Sequence, residues 1–542
     1  MEESRQGASW SVDALVLRDG VLFSYGWCAD THAQIVKLDL LLEYAGGASH
    51  TVHTQYGAQR ADVSATFPGL PSACGFFVHT ALPRDEAVQS IWLKAQCADG
   101  SCQRLSCPVP EQAAQDRVQS GLLPLVPWRT WLSDGKRALR MLRKGDWRRF
   151  WPYAKARYAS LRARAGDDAT LRKMFSHLRP GVTLIVDHSL GGGANQFSAG
   201  LVKNINHRGR DVVVWRFIPY LLRHEISIHG AAETVRKLYL NWDAWALLLA
   251  SGKVTEVVFN NCVGYSRQEQ VPAMLAAFKL LGGARLRVYL HDFHMGCPSH
   301  FLLDYEGRFC GAPDIQHCRQ CLPRIDDGLA GLFVARDIDL WRQCWGEMLK
   351  IADELVYFSK SSRTLLTRMY PSLRDDQWVF QPHQVAPAQG KFHYPHDEPG
   401  LRVAVVGHIA RHKGSASVLS LVREAQQREV ALQVVVIGTM DAADASTPIV
   451  QTGTYEPDAL CRLLTEHRVH MALIPSICPE TFSFVTHELM QLEVPLMCFN
   501  LGAQADAVCA YEKGCVVPLG SAQELLRRMQ EFKVELDNRN LA

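Results

Sequence analysis

The chain has 542 residues, 47% of them apolar and 21% charged, and a net charge of +3 at neutral pH. That length exceeds what one hydrophobic core organises and implies three or four domains, while the ordinary composition excludes fibrous and low-complexity classes. No run of about 18 apolar residues occurs, which excludes a membrane-spanning helix.

The N-terminus, "MEESRQGASWSVDALVL", lacks the basic flank and apolar core of a secretory signal, so a cytoplasmic location is expected. Between residues 10 and 110 the runs "VLFSYGWCA", "IVKLDLLLEY", "GFFVHTAL" and "SIWLKAQCA" are rich in aromatic and β-branched residues. Gly, Pro, Asp and Ser separate them, so residues 1–110 read as a small β-sandwich. Residues 111–178 read as basic helices, because apolar residues recur at three- and four-residue spacing among arginines. From Arg129 to Arg164 twelve Lys/Arg face only Asp134 and Asp146, a net of +10, and the rest of the chain carries −7. Trp128, Trp131, Trp147, Phe150, Trp151 and Tyr153 accompany this charge. Such a segment suits an anionic membrane surface, the inner face of the cytoplasmic membrane, and equally suits a strut between acidic domains. No nucleic-acid role is expected.

From residue 182 strands alternate with helices. "TLIVDHSL", "DVVVWRF", "VTEVVFNN", "RLRVYLHDF" and "ELVYFS" form one series; "LRVAVVGHI", "LQVVVIGT", "VHMALIPS" and "VPLMCFN" form a second. Continuous apolar strands between helices predict two parallel α/β sheets, in domains at 179–390 and 391–542. The Pro- and His-rich stretch 381–400 reads as the connector.

Open parallel sheets bind ligands beyond the carboxyl ends of their strands, so the residues after each strand carry the function. Gly191, Gly192 and Gly193 follow the first strand and open a helix, where backbone can approach an anion. The loop does not fit GxGxxG, and no acidic residue ends the second strand, which argues against a nicotinamide site. His291 and Asp292 end a later strand and suit a polyhydroxy ligand; Asn260 and Asn261 are a weaker instance of the same kind. Arg411 and Lys413, in "GHIARHKG", suit a diphosphate. Each of these also has an ordinary structural explanation: a tight turn, a hydrogen-bonded core histidine, an exposed basic turn.

The stretch "PSICPETFSFVTHELM" joins Glu480 to Glu488 across seven residues. A helix expected from about Thr481 would leave Glu480 at its mouth, with the N–H groups of Phe482 and Ser483 free for a phosphate. Glu488 would lie two turns further in, about 12 Å along the axis. Two carboxylates so spaced can hold hydroxyls at both ends of a nucleotide sugar.

On these residues the second half of the chain resembles the family 4 glycosyltransferases. That resemblance implies the GT-B architecture of two facing Rossmann-like domains, covering about residues 182–535. It implies that Glu480 holds the donor sugar, Lys413 and Arg411 the diphosphate, and Glu488 the ribose. His291 matches the histidine that approaches the donor sugar, with Asp292 beside it, and Gly192 and Gly193 lie in the glycine-rich loop of the acceptor-side domain. "FNLGAQADAV" resembles the segment that closes over the nucleotide. His408 stands where the family often has Arg, which puts the second phosphate contact on His408 or on Arg411. The family transfers sugar with retention of configuration and usually needs no metal at the diphosphate.

Sixteen cysteines without a secretory signal imply reduced thiols. Cys297, Cys310, Cys318 and Cys321 cluster, the last pair as CxxC, and four thiolates suit a tetrahedral structural zinc. The β-rich start resembles, more loosely, a module of lipopolysaccharide glycosyltransferases. The expected function is transfer of sugar from a nucleotide-sugar donor to a glycan or lipid-linked acceptor in bacterial surface polysaccharide (O-antigen) synthesis. The alternative is a glycan-binding or scaffold protein on a degenerate GT-B fold.

Overall fold

The structure, a computed structural model, describes residues 8–18, 20–83, 87–107, 168–230, 235–325, 328–441 and 448–539. The expected basic segment from Arg129 to Arg164 lies outside them. Among the described residues no helix is long and apolar enough to cross a membrane.

Two four-stranded antiparallel sheets begin the chain. One runs β1 (Ala8–Arg18), β2 (Val21–Asp30), β6 (Ala73–Ala81), β5 (Gln55–Gln59); the other runs β4 (Ser49–His53), β3 (Ile35–Tyr44), β7 (Val88–Cys97), β8 (Cys102–Cys107). β7 illustrates the cause: Ile91, Leu93, Ala95 and Cys97 are buried while Lys94 and Gln96 between them are exposed, the period of two that a half-buried strand requires. The buried faces of both sheets meet in one core of Leu22, Leu40, Leu42, Phe76, Val78 and Leu93. Val21 and Phe23 of β2 belong instead to the core of the next domain, with Trp215, Phe217 and Leu222.

The next sheet has eight strands: β9 (Val182–Asp187), β10 (Val212–Ile218), β11 (Arg223–His229), β12 (Val235–Leu240), β13 (Val254–Phe259), β14 (Arg285–Tyr289), β15 (Glu354–Tyr357) and β16 (Trp378–Phe380). Their spatial order is β12-β11-β10-β9-β13-β14-β15-β16. Six strands are parallel, but β11 and β12 pair antiparallel to β10 and to each other. The expectation of a wholly parallel sheet is corrected here: β10 turns straight back through Pro219–Leu222 into β11, a connection too short for a crossover helix. Every residue of β9 is buried, because the sheet is covered on both faces.

The last sheet runs β19-β18-β17-β20-β21-β22, with β17 (Leu401–Ile409), β18 (Leu432–Met440), β19 (Ile449–Gln451), β20 (Met471–Ile474), β21 (Leu496–Phe499) and β22 (Gly514–Val517) all parallel. The long helix Ala522–Arg539 packs Leu526, Met529 and Phe532 against Val418 and Leu421 of the helix Ser415–Gln427. Residues 381–400 join the two sheets without regular structure. In each sheet the strand order reverses at its first strand, beside β13 for β9 and beside β20 for β17. The crevice of a doubly wound sheet opens at such a point.

Candidate active site

At the first crevice, a buried polar network sets the glycine loop. Asp187, fully buried at the end of β9, accepts hydrogen bonds from Asn260 Nδ2 (2.8 Å) and Asn195 Nδ2 (2.8 Å) and pairs with Arg216 (3.2 Å). Asn195 Oδ1 in turn accepts from the Gly191 N–H at 2.7 Å. Gly191 and Gly192 have φ of +89° and +86°, a backbone that glycine adopts without strain. Gly193 opens the helix Gly193–His207, and a Cβ there would stand 3.2 Å from the Phe484 ring of the opposite domain. Asp187 and Asn195 were not singled out in the sequence, although an Asp ending a strand four residues before the glycines was visible.

His291 sits half-buried among Phe197, Phe358 and His383, with ring centroids 5.1, 4.9 and 5.7 Å away. Burial, then the neighbouring His383 and His188, push its imidazole well below the ordinary range, so it is neutral at physiological pH. Its Nε2 has no protein partner among the described residues. Asp292, expected beside His291 at a polyhydroxy ligand, has both carboxylate oxygens taken by protein groups. Its Oδ2 accepts from Asn261 Nδ2 (2.7 Å), which ties it to the loop after β13, and its Oδ1 accepts from the His294 N–H (2.8 Å) of its own loop.

At the second crevice the loop after β17 meets the loop after β20. Lys413 Nζ donates to Glu480 Oε1 at 2.6 Å, and Ser476 Oγ donates to the same oxygen at 2.6 Å. Burial alone would raise the Glu480 carboxyl; the Lys413 ammonium, with the Ser476 and Ser483 hydroxyls, outweighs it and holds the group below the usual range. For Lys413 burial acts downward, and Glu480 reverses it to a net rise. Both are therefore charged at neutral pH.

Two glycines permit this contact. A Cβ on Gly414 (φ +88°) would lie 1.9 Å from the Pro475 carbonyl oxygen, and one on Gly502 (φ +59°) 2.5 Å from the Glu480 nitrogen. Gln504, fully buried, accepts from the Glu480 N–H (3.1 Å) and donates to the Cys478 carbonyl (3.0 Å). Neither Gln504 nor Ser476 was identified from sequence, although Gln504 lies within the quoted "FNLGAQADAV".

The helix carrying Glu488 spans Phe484–Gln491, three residues later than expected. Ser483 stands at its N-cap with extended backbone, and the Ser483 hydroxyl accepts from Thr486 Oγ1 at 2.8 Å. The stretch from Glu480 to Ser483 is thus not helical, and the helical estimate of about 12 Å between the glutamates does not apply. Phe482 turns its ring to His487 (4.4 Å, 13°) and packs against the first α/β domain. Glu488 is half-buried, burial raises its carboxyl, and it has no hydrogen-bond or ion-pair partner among the described residues.

His408 lies within β17 and is 61% exposed; its Nδ1 bonds Thr439 Oγ1 at 2.9 Å and its Nε2 lies 3.8 Å from Asp441. Arg411 is exposed, with no carboxylate partner among the described residues.

All sixteen cysteines are free thiols. Cys297, Cys310, Cys318 and Cys321 border one small cavity with Leu302, Pro313, His317 and Leu322. Arg342 Nη2 donates to Cys318 Sγ at 3.3 Å. Among the described residues no group of three or more His, Cys, Asp or Glu side chains is arranged to hold a metal ion. The expected zinc centre therefore has its donors gathered but not its coordination geometry.

Residues 389–540 match the family described as "Glycosyl transferases group 1". The match falls on the second α/β domain. That domain holds Lys413, Glu480, Glu488 and Gln504, and its Phe484 ring stands against Gly193 of the first α/β domain. No curated protein matches the chain. Solved structures similar to it include Anabaena HepE in complex with UDP-glucose, at 13% identity over 65% of this chain and 89% of that one, TM-score 0.40. Others are sucrose-phosphate synthase from Thermosynechococcus elongatus (14%, 65% and 89%, 0.42) and WaaG, a glycosyltransferase involved in lipopolysaccharide biosynthesis (11%, 65% and 90%, 0.40). At these identities and scores the likenesses bear no functional conclusion.

Proposed function

We propose that the protein transfers a sugar from a nucleotide-sugar donor to a growing bacterial surface glycan, with retention of configuration. The observation that carries the reading is the Lys413–Glu480 contact at the β17/β20 crevice, inside the residues that match the glycosyltransferase family. A cation for a diphosphate and a carboxylate for sugar hydroxyls stand together there, and Glu488 offers a second carboxylate without a protein partner.

In this reading Lys413 and Arg411 hold the diphosphate, Glu480 the donor sugar and Glu488 the ribose. Phe482, His383 and Phe197 pack as one aromatic cluster near the Gly192–Gly193 turn, where an acceptor would enter. The acceptor oxygen attacks the anomeric carbon on the face from which the diphosphate leaves. The carbon–oxygen bond to the diphosphate breaks, and a leaving phosphate oxygen takes the acceptor proton. The protein's part is to orient both partners and to stabilise charge on the leaving group. Neutral His291 can exchange a hydrogen bond with a sugar hydroxyl without repelling Lys413.

Two further elements belong to the same proposal. The four thiols around the cavity would hold a structural zinc only by closing on it from the positions they occupy, and the basic segment Arg129–Arg164 holds the enzyme at an anionic membrane surface near lipid-linked acceptors. The test of the central reading is a screen of UDP-, GDP- and dTDP-sugars for hydrolysis and for transfer to surface-glycan precursors. Turnover that Glu480→Gln abolishes supports it. Absence of both binding and turnover with all three nucleotide classes overturns it.

A further inference from the structure

The segment between β14 and the helix Ile315–Cys321 does more than carry cysteines. It crosses the cleft. The Phe301 ring lies on the His412 ring at a centroid distance of 3.9 Å and an interplanar angle of 12°. Six residues later Gly307, at φ +79°, presents its bare α-carbon to Arg411: a Cβ there would stand 2.6 Å from Arg411 Nη2. Two residues further Phe309 packs against the cores of both α/β domains. One short excursion of the first domain thus touches two of the three consecutive residues of the diphosphate loop, Arg411, His412 and Lys413.

The excursion is built to be stiff. Leu303 and Phe309 pair as an antiparallel bridge, and the Cys310 N–H donates to the Leu302 carbonyl at 3.0 Å. Asp304 Oδ1 accepts from the N–H groups of Glu306 and Arg308, both at 2.9 Å, closing the turn at its tip. Cys297 and Cys310 flank its base, over the four-cysteine cavity.

His412 is the point through which such a contact reaches the site. Its carbonyl accepts from the Ile477 N–H at 3.1 Å and from Cys478 Sγ at 3.6 Å, so it ties the lysine loop to the segment that carries Glu480. Burial, then the Lys413 charge, pushes its imidazole down to about 3, so the stack joins two neutral rings and survives across physiological pH.

We infer that residues Phe301–Phe309 form a strut that sets the position of the diphosphate loop, with Phe301 as a positioning residue acting through His412. The inference rests on the assignment of Arg411 and Lys413 to the donor diphosphate. In a two-domain transferase the donor loop must be registered against the acceptor-side domain, and the strut supplies that register from the acceptor side.

The test compares Phe301→Ala and Phe301→Tyr with the wild-type full chain in two measurements. The first is hydrogen exchange of the unliganded protein over residues 410–414. The strut requires faster exchange there in Phe301→Ala, by about fivefold, and near wild-type exchange in Phe301→Tyr, which keeps the stack. The second is binding of UDP, GDP and dTDP against the matching nucleosides. Phe301→Ala should weaken the diphosphate by about fivefold and leave the nucleoside unchanged, and Phe301→Tyr should restore the diphosphate. Unchanged exchange in Phe301→Ala overturns the strut, whatever the nucleotide results. So does an equal loss for diphosphate and nucleoside. If the wild type binds none of the nucleotides, the diphosphate assignment fails instead, and the exchange measurement still decides whether the strut exists.

Discussion

Replacing Glu480 by Gln should abolish sugar transfer and, in the same protein, tighten the binding of free nucleoside diphosphate. Lys413 Nζ rests 2.6 Å from Glu480 Oε1, with the Glu480 side chain 11% exposed and the Lys413 side chain 37% exposed. Breaking a fully buried pair costs about 3–5 kcal/mol, whereas an exposed pair is worth about 0–1 kcal/mol. The exposure of Lys413 brings this pair to about 1–2 kcal/mol, after discounting for solvent. A diphosphate that recruits Lys413 gives up part of that attraction. Removing the carboxylate charge should return about 1 kcal/mol, roughly fivefold in Kd. Lys413→Met should act in the opposite direction, since a charge-assisted hydrogen bond to phosphate is worth about 1.5–3 kcal/mol, about 10- to 150-fold. Calorimetric titration with UDP, GDP and dTDP, beside initial rates with the sugar donor, measures both. If the two variants weaken diphosphate binding alike, the lysine and the glutamate bind it as one unit and the competition between them is wrong. Near wild-type turnover in Glu480→Gln would remove the carboxylate from the chemistry altogether.

Gln504→Ala should lower kcat by at least about tenfold with little change in nucleoside diphosphate affinity, because it frees the Glu480 backbone without touching Lys413; steady-state kinetics and titration separate the two. Asn195→Ala should release the Gly191 N–H and one partner of buried Asp187, costing about 1–3 kcal/mol in denaturant unfolding and lowering transfer. His79 is buried against Phe217 with no hydrogen-bond partner among the described residues, and burial pushes it down to about 3; an unfolded chain binds its proton below about pH 6.5, so this histidine lowers stability as the pH falls through that point. His79→Phe should therefore leave stability at pH 7 nearly unchanged and raise it by about 2 kcal/mol at pH 5, read from unfolding at the two pH values. Elemental analysis of protein purified without chelator should find close to one zinc per chain, reduced in Cys318→Ser, and a content near zero would exclude the metal. Flotation with anionic vesicles at low salt should recover the protein, and substituting Arg140, Arg143, Arg148 and Arg149 by Gln should abolish recovery.

Strand positions were legible where burial imposes a simple rule. The continuous apolar runs of β9 and β17 announced themselves because both faces of a parallel sheet are covered. The edge pair β11 and β12 did not, since "RHEISIH" carries charged and polar residues that the pattern of a central strand excludes. At the site, Lys413, Glu480 and Glu488 could be picked out by residue type and spacing. Their relation could not: that Lys413 pairs with Glu480 follows from two loops 67 residues apart meeting where the strand order reverses. The late helix start at Phe484 was hidden because Thr481 and Ser483 are both ordinary caps, and only packing of Phe482 on the other domain selects the second. Asp292 read as a partner for sugar hydroxyls because a free-looking carboxylate in a sequence says nothing of the backbone N–H waiting two residues on.

The small N-terminal domain lends Val21 and Phe23 to the core around Trp215, Phe217 and Leu222, and its His79 lies flat along Phe217. What looks in the sequence like a detachable module is therefore part of the wall of the first α/β domain. A truncated chain beginning after it would turn those aromatic and aliphatic surfaces to water, and its first failing would be poor solubility rather than lost chemistry. Any recombination that gives these α/β domains a new partner specificity would have to exchange the leading sheets and the β10–β11 corner together.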